Sequence, residues 1–366
     1  MNKILNSLQK NKTYLLSLII SIIVALIIGG LLMVLTGYDP IEGYGAMVSQ
    51  VFGNPRVFGN TLAKMITLCL TGLATAVGAK AGLFNVGGEG QLFLGGLAAT
   101  LTGIYFQGAS PFIAIPLAFL SAIIVGGFYA WIPAVLKVKL NVSEVITTIM
   151  LNSVAIYLCT YLTNGTGPLV THDKGVLGGT DAVPAAFAFS KVIPRSNLST
   201  AIIYSAIIAF FCWYIMEKTS VGLEMKVTGE NQRFAFFSGL KKDKIMIWSM
   251  VASGAICGLV GMFEVYGYQG RFYDNISNDF YFDGMLVAMI MNYNPVGIII
   301  MSFFFAVINI GASEMELAVG ISSELSQIIF SIIIFLMAAE GGISKYFSDK
   351  KMQRDAKESI REEAQA

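Results

Sequence analysis

Long apolar runs recur along this chain, and they leave it few folds to choose from. Residues 14–35, 111–136, 142–162, 199–216 and 245–266 each supply roughly the 20 residues that a helix needs to cross a bilayer. In lipid every backbone N–H and C=O must find a partner inside the protein, so open strands and exposed coil are excluded there. The expectation is an all-α integral membrane protein. Composition agrees: of 366 residues 55% are hydrophobic and 13% charged, with a mean hydropathy of +0.69, values suited to a chain whose main solvent is lipid.

The remaining apolar segments are interrupted. Runs 61–79, with Lys64 near its start, and 92–106 flank Gly82-Leu-Phe-Asn-Val-Gly-Gly-Glu-Gly-Gln91, in which four glycines alternate with Phe84, Asn85, Glu89 and Gln91. Backbone this rich in glycine holds a straight helix poorly, and its freed polar groups must be buried in protein or face water. The segment reads either as a tight turn with Glu89 solvated or as part of a transport path. A second interruption, Asn292-Tyr293-Asn294-Pro295, divides 283–291 from 296–310, and 325–339 is the last run. Residues 14–35 read as an uncleaved first span, because the apolar stretch exceeds a signal peptide's core and no small-residue cleavage site follows, and residues 37–59, with Asp39, Pro40, Glu42, Asn54, Pro55 and Arg56, read as a polar loop after it. The total is about ten spans, with a transmembrane domain over 13–339, an N-terminal segment 1–12 and a charged tail 340–366.

Charge placement orients them. With the N-terminus in the cytoplasm, 18 of the 24 Lys and Arg lie on the inner side, the bias that cytoplasmic loops carry. Loop 164–197 is then external, and loop 217–244 and both termini are cytoplasmic. Segments 61–162 and 245–339 would run in opposite directions, an inverted repeat whose two interrupted helices occupy corresponding places. That arrangement points to a transport site at the interruptions.

Smaller motifs fill in this frame. Asn141 with Glu144 reads as a capping box opening the fifth span. Thr148 and Asn152, four apart, share a helix face turned to the bundle interior. Ser253, Gly254, Gly258 and Gly261 permit close helix contact, and Glu264 is an acid inside an apolar run. Gly229, Asn231, Ala235 and Gly239 outline a turn and a short helix ending at glycine, with Phe234, Phe236 and Phe237 as its apolar face. Such a helix would lie on the membrane or insert into a partner. Cys69, Cys159, Cys212 and Cys257 all sit in apolar runs, and His172 is the sole histidine. Neither a metal site nor a disulfide framework is indicated. No Walker A pattern occurs, so nucleotide hydrolysis would belong to another chain.

Taken together, GLFNVGGEGQLFLGGLAA, NVSEVITTIMLNSVAIYL, GENQRFAFFSGL and the FDG to NPVG segment resemble the membrane permease of bacterial nucleoside ABC importers, within the simple-sugar and branched-chain amino acid permease group. The resemblance implies a type II importer architecture in the bacterial cell membrane. It implies an ATPase that uses ATP and magnesium, a substrate-binding lipoprotein outside, and a second, related permease as partner. It makes 229–240 a coupling helix seated in the ATPase and loop 164–197 a docking element for the binding protein. Gln232 and the Phe236-Phe237 pair depart from the family pattern.

On this reading the substrate path comprises Phe84, Asn85, Gly87, Gly88, Glu89, Gln91, Thr148, Asn152, Tyr293 and Asn294, and ATPase coupling falls to Gly229, Asn231, Ala235, Phe236 and Gly239. Amides, hydroxyls and rings without a basic cluster suit a small neutral polar substrate; nucleoside rather than simple sugar rests on the resemblance. The rival class is an ion-coupled secondary transporter with Glu89, Glu264 and Asp283 as carriers. A membrane enzyme would need a nucleophile and base or a metal cluster, and none is apparent.

Overall fold

The computed structural model describes residues 20–336 apart from 174, 177, 323, 330, 333 and 334. Among the described residues it contains helices and no β-strand, only two isolated bridges. The helices are α1 (Ile20–Leu35), α2 (Pro40–Gly53), α3 (Pro55–Lys80), α4 (Gly88–Tyr105), α5 (Pro111–Leu140), α6 (Glu144–Thr163), α7 (Ala201–Lys218), α8 (Ser220–Glu230), α9 (Gln232–Phe237), α10 (Lys242–Glu264), α11 (Phe280–Ile290) and α12 (Pro295–Val319). Six of them, α3, α5, α6, α7, α12 and α10 with its π-helical extension to Gln269, are long and apolar enough to cross a membrane, and α1 and α11 are shorter apolar helices. The chain is a multi-pass membrane protein. Residues 1–12, the start of the first span and the 340–366 tail lie outside the described residues.

Two expectations need correction. Residues 37–59 form no polar loop: α2 occupies most of them and α3 begins at Pro55. Asp39 accepts from Ile41 N at 2.8 Å and Asn54 from Arg56 N at 3.1 Å, so each Asp-Pro or Asn-Pro pair is an N-cap followed by a proline that needs no N–H partner. Asn141 does not cap α6. It ends α5 in the left-handed conformation (φ 53°), and Ser143 precedes α6 instead. The Glu144 carboxylate meets Lys137 Nζ at 2.9 Å across that turn.

The described chain forms two compact units, one of residues up to Gln50 with those from Gly311 on, the other from Val51 to Ile310. In the first, the Tyr44 hydroxyl donates to Leu26 O at 2.8 Å, pinning α2 on α1. In the second, α10 is central and packs on α3, α4 and α5. Glycines bring these backbones together, as lipid-embedded packing favours. A Cβ on Gly126 would lie 3.0 Å from Gly258 Cα, and one on Gly96 would lie 3.2 Å from the Gly261 carbonyl. On the other side of the unit, a Cβ on Gly72 of α3 would stand 3.0 Å from the Gly284 carbonyl of α11. Helix α3 thus packs on α11 as α10 packs on α4, and α3 also meets α10.

The long 164–197 segment is tied down by its own polar groups. Thr180 N donates to Phe272 O at 3.0 Å, Val183 N to Gly270 O at 2.9 Å, and Phe189 N to Tyr266 O at 2.8 Å. The Asn164 amide donates to Asp274 at 2.6 Å, and Arg271 pairs with Asp173 at 2.8 Å. Phe189 of this segment joins Phe119, Tyr204, Phe263 and Tyr266 in an aromatic cluster.

Candidate functional site

Helix α3 stops at Lys80, and the chain does not resume helical geometry until Gly88. Gly82 turns the backbone at φ +80°, a value that costs a side chain dearly, and its Cα faces Gly229, 3.1 Å from where a Cβ would stand. The break frees N–H and C=O groups in a buried place, and side chains from other helices satisfy them. From α6, Thr148 Oγ1 accepts from Val86 N at 3.3 Å, and Asn152 donates to Val86 O at 2.7 Å while accepting from Gly90 N at 2.8 Å. Asn85 Oδ1 accepts from Gly87 N at 3.0 Å and from the Gln91 amide at 3.1 Å, and Asn85 Nδ2 donates to Gln91 Oε1 and to Ser253 Oγ of α10, each at 2.9 Å. From α11, the Tyr281 hydroxyl donates to Asn85 O and accepts from Thr75 at 3.1 Å. Glu89 lies in the first turn of α4, where the helix dipole favours a negative group, and accepts from Tyr281 N at 3.1 Å.

Asn85, Gly87, Gly88, Glu89, Gln91, Thr148 and Asn152 therefore stand together, all buried, and Gly88 lies against the Tyr281 ring. Phe84 borders them, half-buried. Tyr293 and Asn294 lie elsewhere. They form the turn between α11 and α12, with Tyr293 at φ 59° and Asn294 Oδ1 accepting from Val296 N and Gly297 N at 3.0 and 3.1 Å. Both line a different cavity, of ≈600 Å³, beside Lys80, Glu217, Lys226 and Gly229.

The second set of residues is continuous with that cavity. Asn231 caps α9 by accepting from Phe234 N at 2.9 Å, and Leu240 N returns to Ala235 O at 3.0 Å around Gly239, which is left-handed at φ +79°. Ala235 is fully buried, while Phe234, Phe236 and Phe237 are 59%, 62% and 85% exposed. Three phenylalanines turned outward on a six-residue helix are a surface made to be covered. Gly229 rests directly on the Lys80 carbonyl and Gly82, and Lys80 pairs with Glu217. Backbone contact thus joins the α8–α9 corner to the α3–α4 break.

Reading the chain in order missed one grouping. A cavity of ≈130 Å³ is lined by Asn60, Lys64 and Thr67 of α3, Asn197 and Ser199, Glu264 of α10, Tyr268 and Phe280. Thr67 Oγ1 donates to Glu264 Oε1 at 2.6 Å, and Lys64 Nζ lies 3.9 Å from the centre of the Phe280 ring. Lys64 and Glu264 were each visible as a charge in an apolar run. Their meeting, 200 positions apart, was not.

The family described as "Branched-chain amino acid transport system / permease component" matches residues 57–338. The chain belongs to this family. Among curated permeases it is 33% identical to the guanosine ABC transporter permease protein NupP of Bacillus subtilis, over 91% of its own length and 96% of the relative's. It is 32% identical to the nucleoside ABC transporter permease protein NupB of Lactococcus lactis (88% and 90%), and 31% to the glucose ABC transporter permease protein TsgB13 of Haloferax volcanii (88% and 87%). In the first two organisms a second permease protein, NupQ and NupC respectively, is also similar. No solved structure matches this permease.

Proposed function

We propose that this permease is the membrane subunit of an ABC importer for nucleosides in the bacterial cell membrane, with both termini in the cytoplasm. Its similarity to NupP over nearly the whole of both chains carries this reading. Guanosine and other nucleosides, named for two relatives, share with glucose, named for the third, vicinal hydroxyls on an oxygen-containing sugar ring. Nucleoside is preferred because the two most similar of these relatives are named for it. A second permease partner is supported by the paired relatives NupP with NupQ and NupB with NupC. An extracellular binding lipoprotein would dock on the braced 164–197 segment, and an ATPase using ATP and magnesium would receive the exposed phenylalanines of α9.

In this scheme α9 is the coupling helix and the α3–α4 break is a wall of the path. The polar atoms of Asn85, Glu89, Gln91, Thr148 and Asn152 hold one another and the broken backbone. They shape the wall, and the Gly229–Gly82 contact lets a movement of the coupling corner reach it. Tyr293 and Asn294, at the same corner as Gly229, belong to the inner end of the path.

The test is uptake of radiolabelled uridine and adenosine, with glucose alongside, in cells lacking the chain and in complemented cells, before and after ATP depletion. ATP-dependent nucleoside uptake that returns on complementation is expected. Uptake that survives ATP depletion under a clamped ion gradient would make it a secondary transporter, and restoration of glucose uptake alone would overturn the substrate.

A further inference from the structure

The Lys64–Glu264 cavity combines features that a purely structural charge pair lacks. Among the described residues neither charge has a partner of opposite sign within 4 Å. Glu264 uses one carboxylate oxygen on Thr67, and its other oxygen has no protein donor. The Lys64 ammonium faces the Phe280 ring and no acceptor. Asn60 accepts from Asn197 N at 2.8 Å through Oδ1, which leaves its NH₂ group free to donate. Both charged side chains are half-buried and reach the cavity surface. Burying charge in a span is costly, and it persists where a path or a ligand uses it.

We infer that this cavity is a subsite for the vicinal hydroxyls of the transported molecule. The inference rests on the nucleoside reading above. A carboxylate oxygen accepts from hydroxyls, while an ammonium and an amide donate to their oxygens, so one cavity serves both ends of a diol. The lining carries one charge of each sign, Lys64 and Glu264, and no cluster of basic side chains, which suits a neutral sugar better than a phosphate. At ≈130 Å³ the cavity has the volume of about four waters. That is room for a sugar ring and too little for a nucleoside, since whole-ligand pockets start near 300 Å³. The base would stay at the rim, where the exposed ring of Tyr268 stands.

The experiment compares uptake of uridine and 2′,3′-dideoxyuridine, at saturating concentrations, in cells carrying the complete importer with wild-type, Glu264→Gln or Lys64→Met permease. Permease abundance in the membrane and co-purification of the ATPase are measured alongside. Taking each variant's ratio relative to wild type cancels the discrimination exerted by the binding protein. Glu264→Gln keeps an acceptor for Thr67 and the side-chain volume but loses the free carboxylate oxygen. The expected result is a fall in uridine uptake of roughly tenfold with dideoxyuridine changed by no more than about twofold, as loss of a hydrogen bond to a charged group predicts. Lys64→Met should shift the ratio in the same direction, and it decides the matter if the Gln variant does not reach the membrane. Equal loss of both nucleosides at normal abundance, or an unchanged ratio, would overturn the subsite and leave a brace between α3 and α10. A wild-type importer that takes up glucose and neither nucleoside would instead refute the nucleoside reading, and the same variants would then be judged on glucose against 2-deoxyglucose.

Discussion

Asn152 is the most exacting test of how the α3–α4 break is held. Its amide serves two groups of one broken backbone, donating to Val86 O at 2.7 Å and accepting from Gly90 N at 2.8 Å, and it is 6% exposed. Asn152→Ala strands both. A buried polar group left without a partner costs about 1–3 kcal/mol, whereas interhelical side-chain bonds in membranes average nearer 0.6 kcal/mol because the unfolded reference finds other partners. The Val86 carbonyl belongs to the irregular gap and the Gly90 N–H to the first turn of α4, where N–H groups have no intrahelical partner, so the larger figure governs, reduced where a water enters the vacated space. The net is about 2–4 kcal/mol. At roughly 2 °C per kcal/mol for a chain of this size, that lowers the melting temperature of the detergent-purified permease by about 4–8 °C. Thr147→Val is the control, since the Thr147 hydroxyl bonds only within its own helix, to Ser143 O at 3.0 Å and Glu144 O at 3.1 Å. A melting temperature for Asn152→Ala within 1 °C or so of the control would refute the claim that α6 braces the break.

Other consequences follow from the same geometry. Asn85→Ala and Glu89→Ala should cut uptake while leaving ATPase co-purification unchanged, and normal uptake in both would remove the break from the path. Gly229→Val must drive a side chain into the Lys80 carbonyl; ATP hydrolysis without uptake is expected, and wild-type coupling would break the proposed link between corner and path. Paired replacement of Phe236 by Ser and Gly239 by Val should abolish ATPase co-purification without lowering membrane abundance, because the first change strips the outward face and the second forbids the left-handed turn. The Asp181 carboxyl is held below the ordinary value by the His172 backbone N–H first, then by the His172 ring and the Thr171 hydroxyl. With a folded pKa below the ordinary value of about 3.9, its contribution to loop order is complete above that pH and is lost as pH falls through the lower folded value. Protease susceptibility of the 164–197 segment should therefore stay flat from about pH 5 upward and rise only in strong acid; a rise already near pH 6 would assign the loop's order to some other group.

The spans were legible because length and hydropathy are local quantities, and so was the short helix α9, whose cap Asn231 and terminal Gly239 are written within nine residues. Helix α2 was legible too and was misread. Asp39-Pro40 and Asn54-Pro55 are each an N-cap followed by a first-turn proline, yet the polar residues around them suggested a loop. At Asn141 the rule that failed was the capping box, because the left-handed end of α5 claimed the residue first. The glycines on α4, α5 and α10 announced close packing without naming partners, since a small residue carries no record of what approaches it.

The candidate site divides along the same line. At the break, one local fact, a glycine-rich gap between apolar runs, already demands that buried polar groups be satisfied, so Asn85, Glu89 and Gln91 could be named from the gap itself and Thr148 and Asn152 from their shared face. Lys64 and Glu264 obey no such demand. Each is a lone charge on its own helix, and what makes them a site is that α3 and α10 pack on each other and bring the two charges to one cavity without joining them. An ion pair at that position would have closed the space and satisfied both groups. The Thr67 hydroxyl and the Phe280 ring instead hold each charge on its own wall, and the donors and acceptors left between them are those that a diol, rather than an ion, can fill.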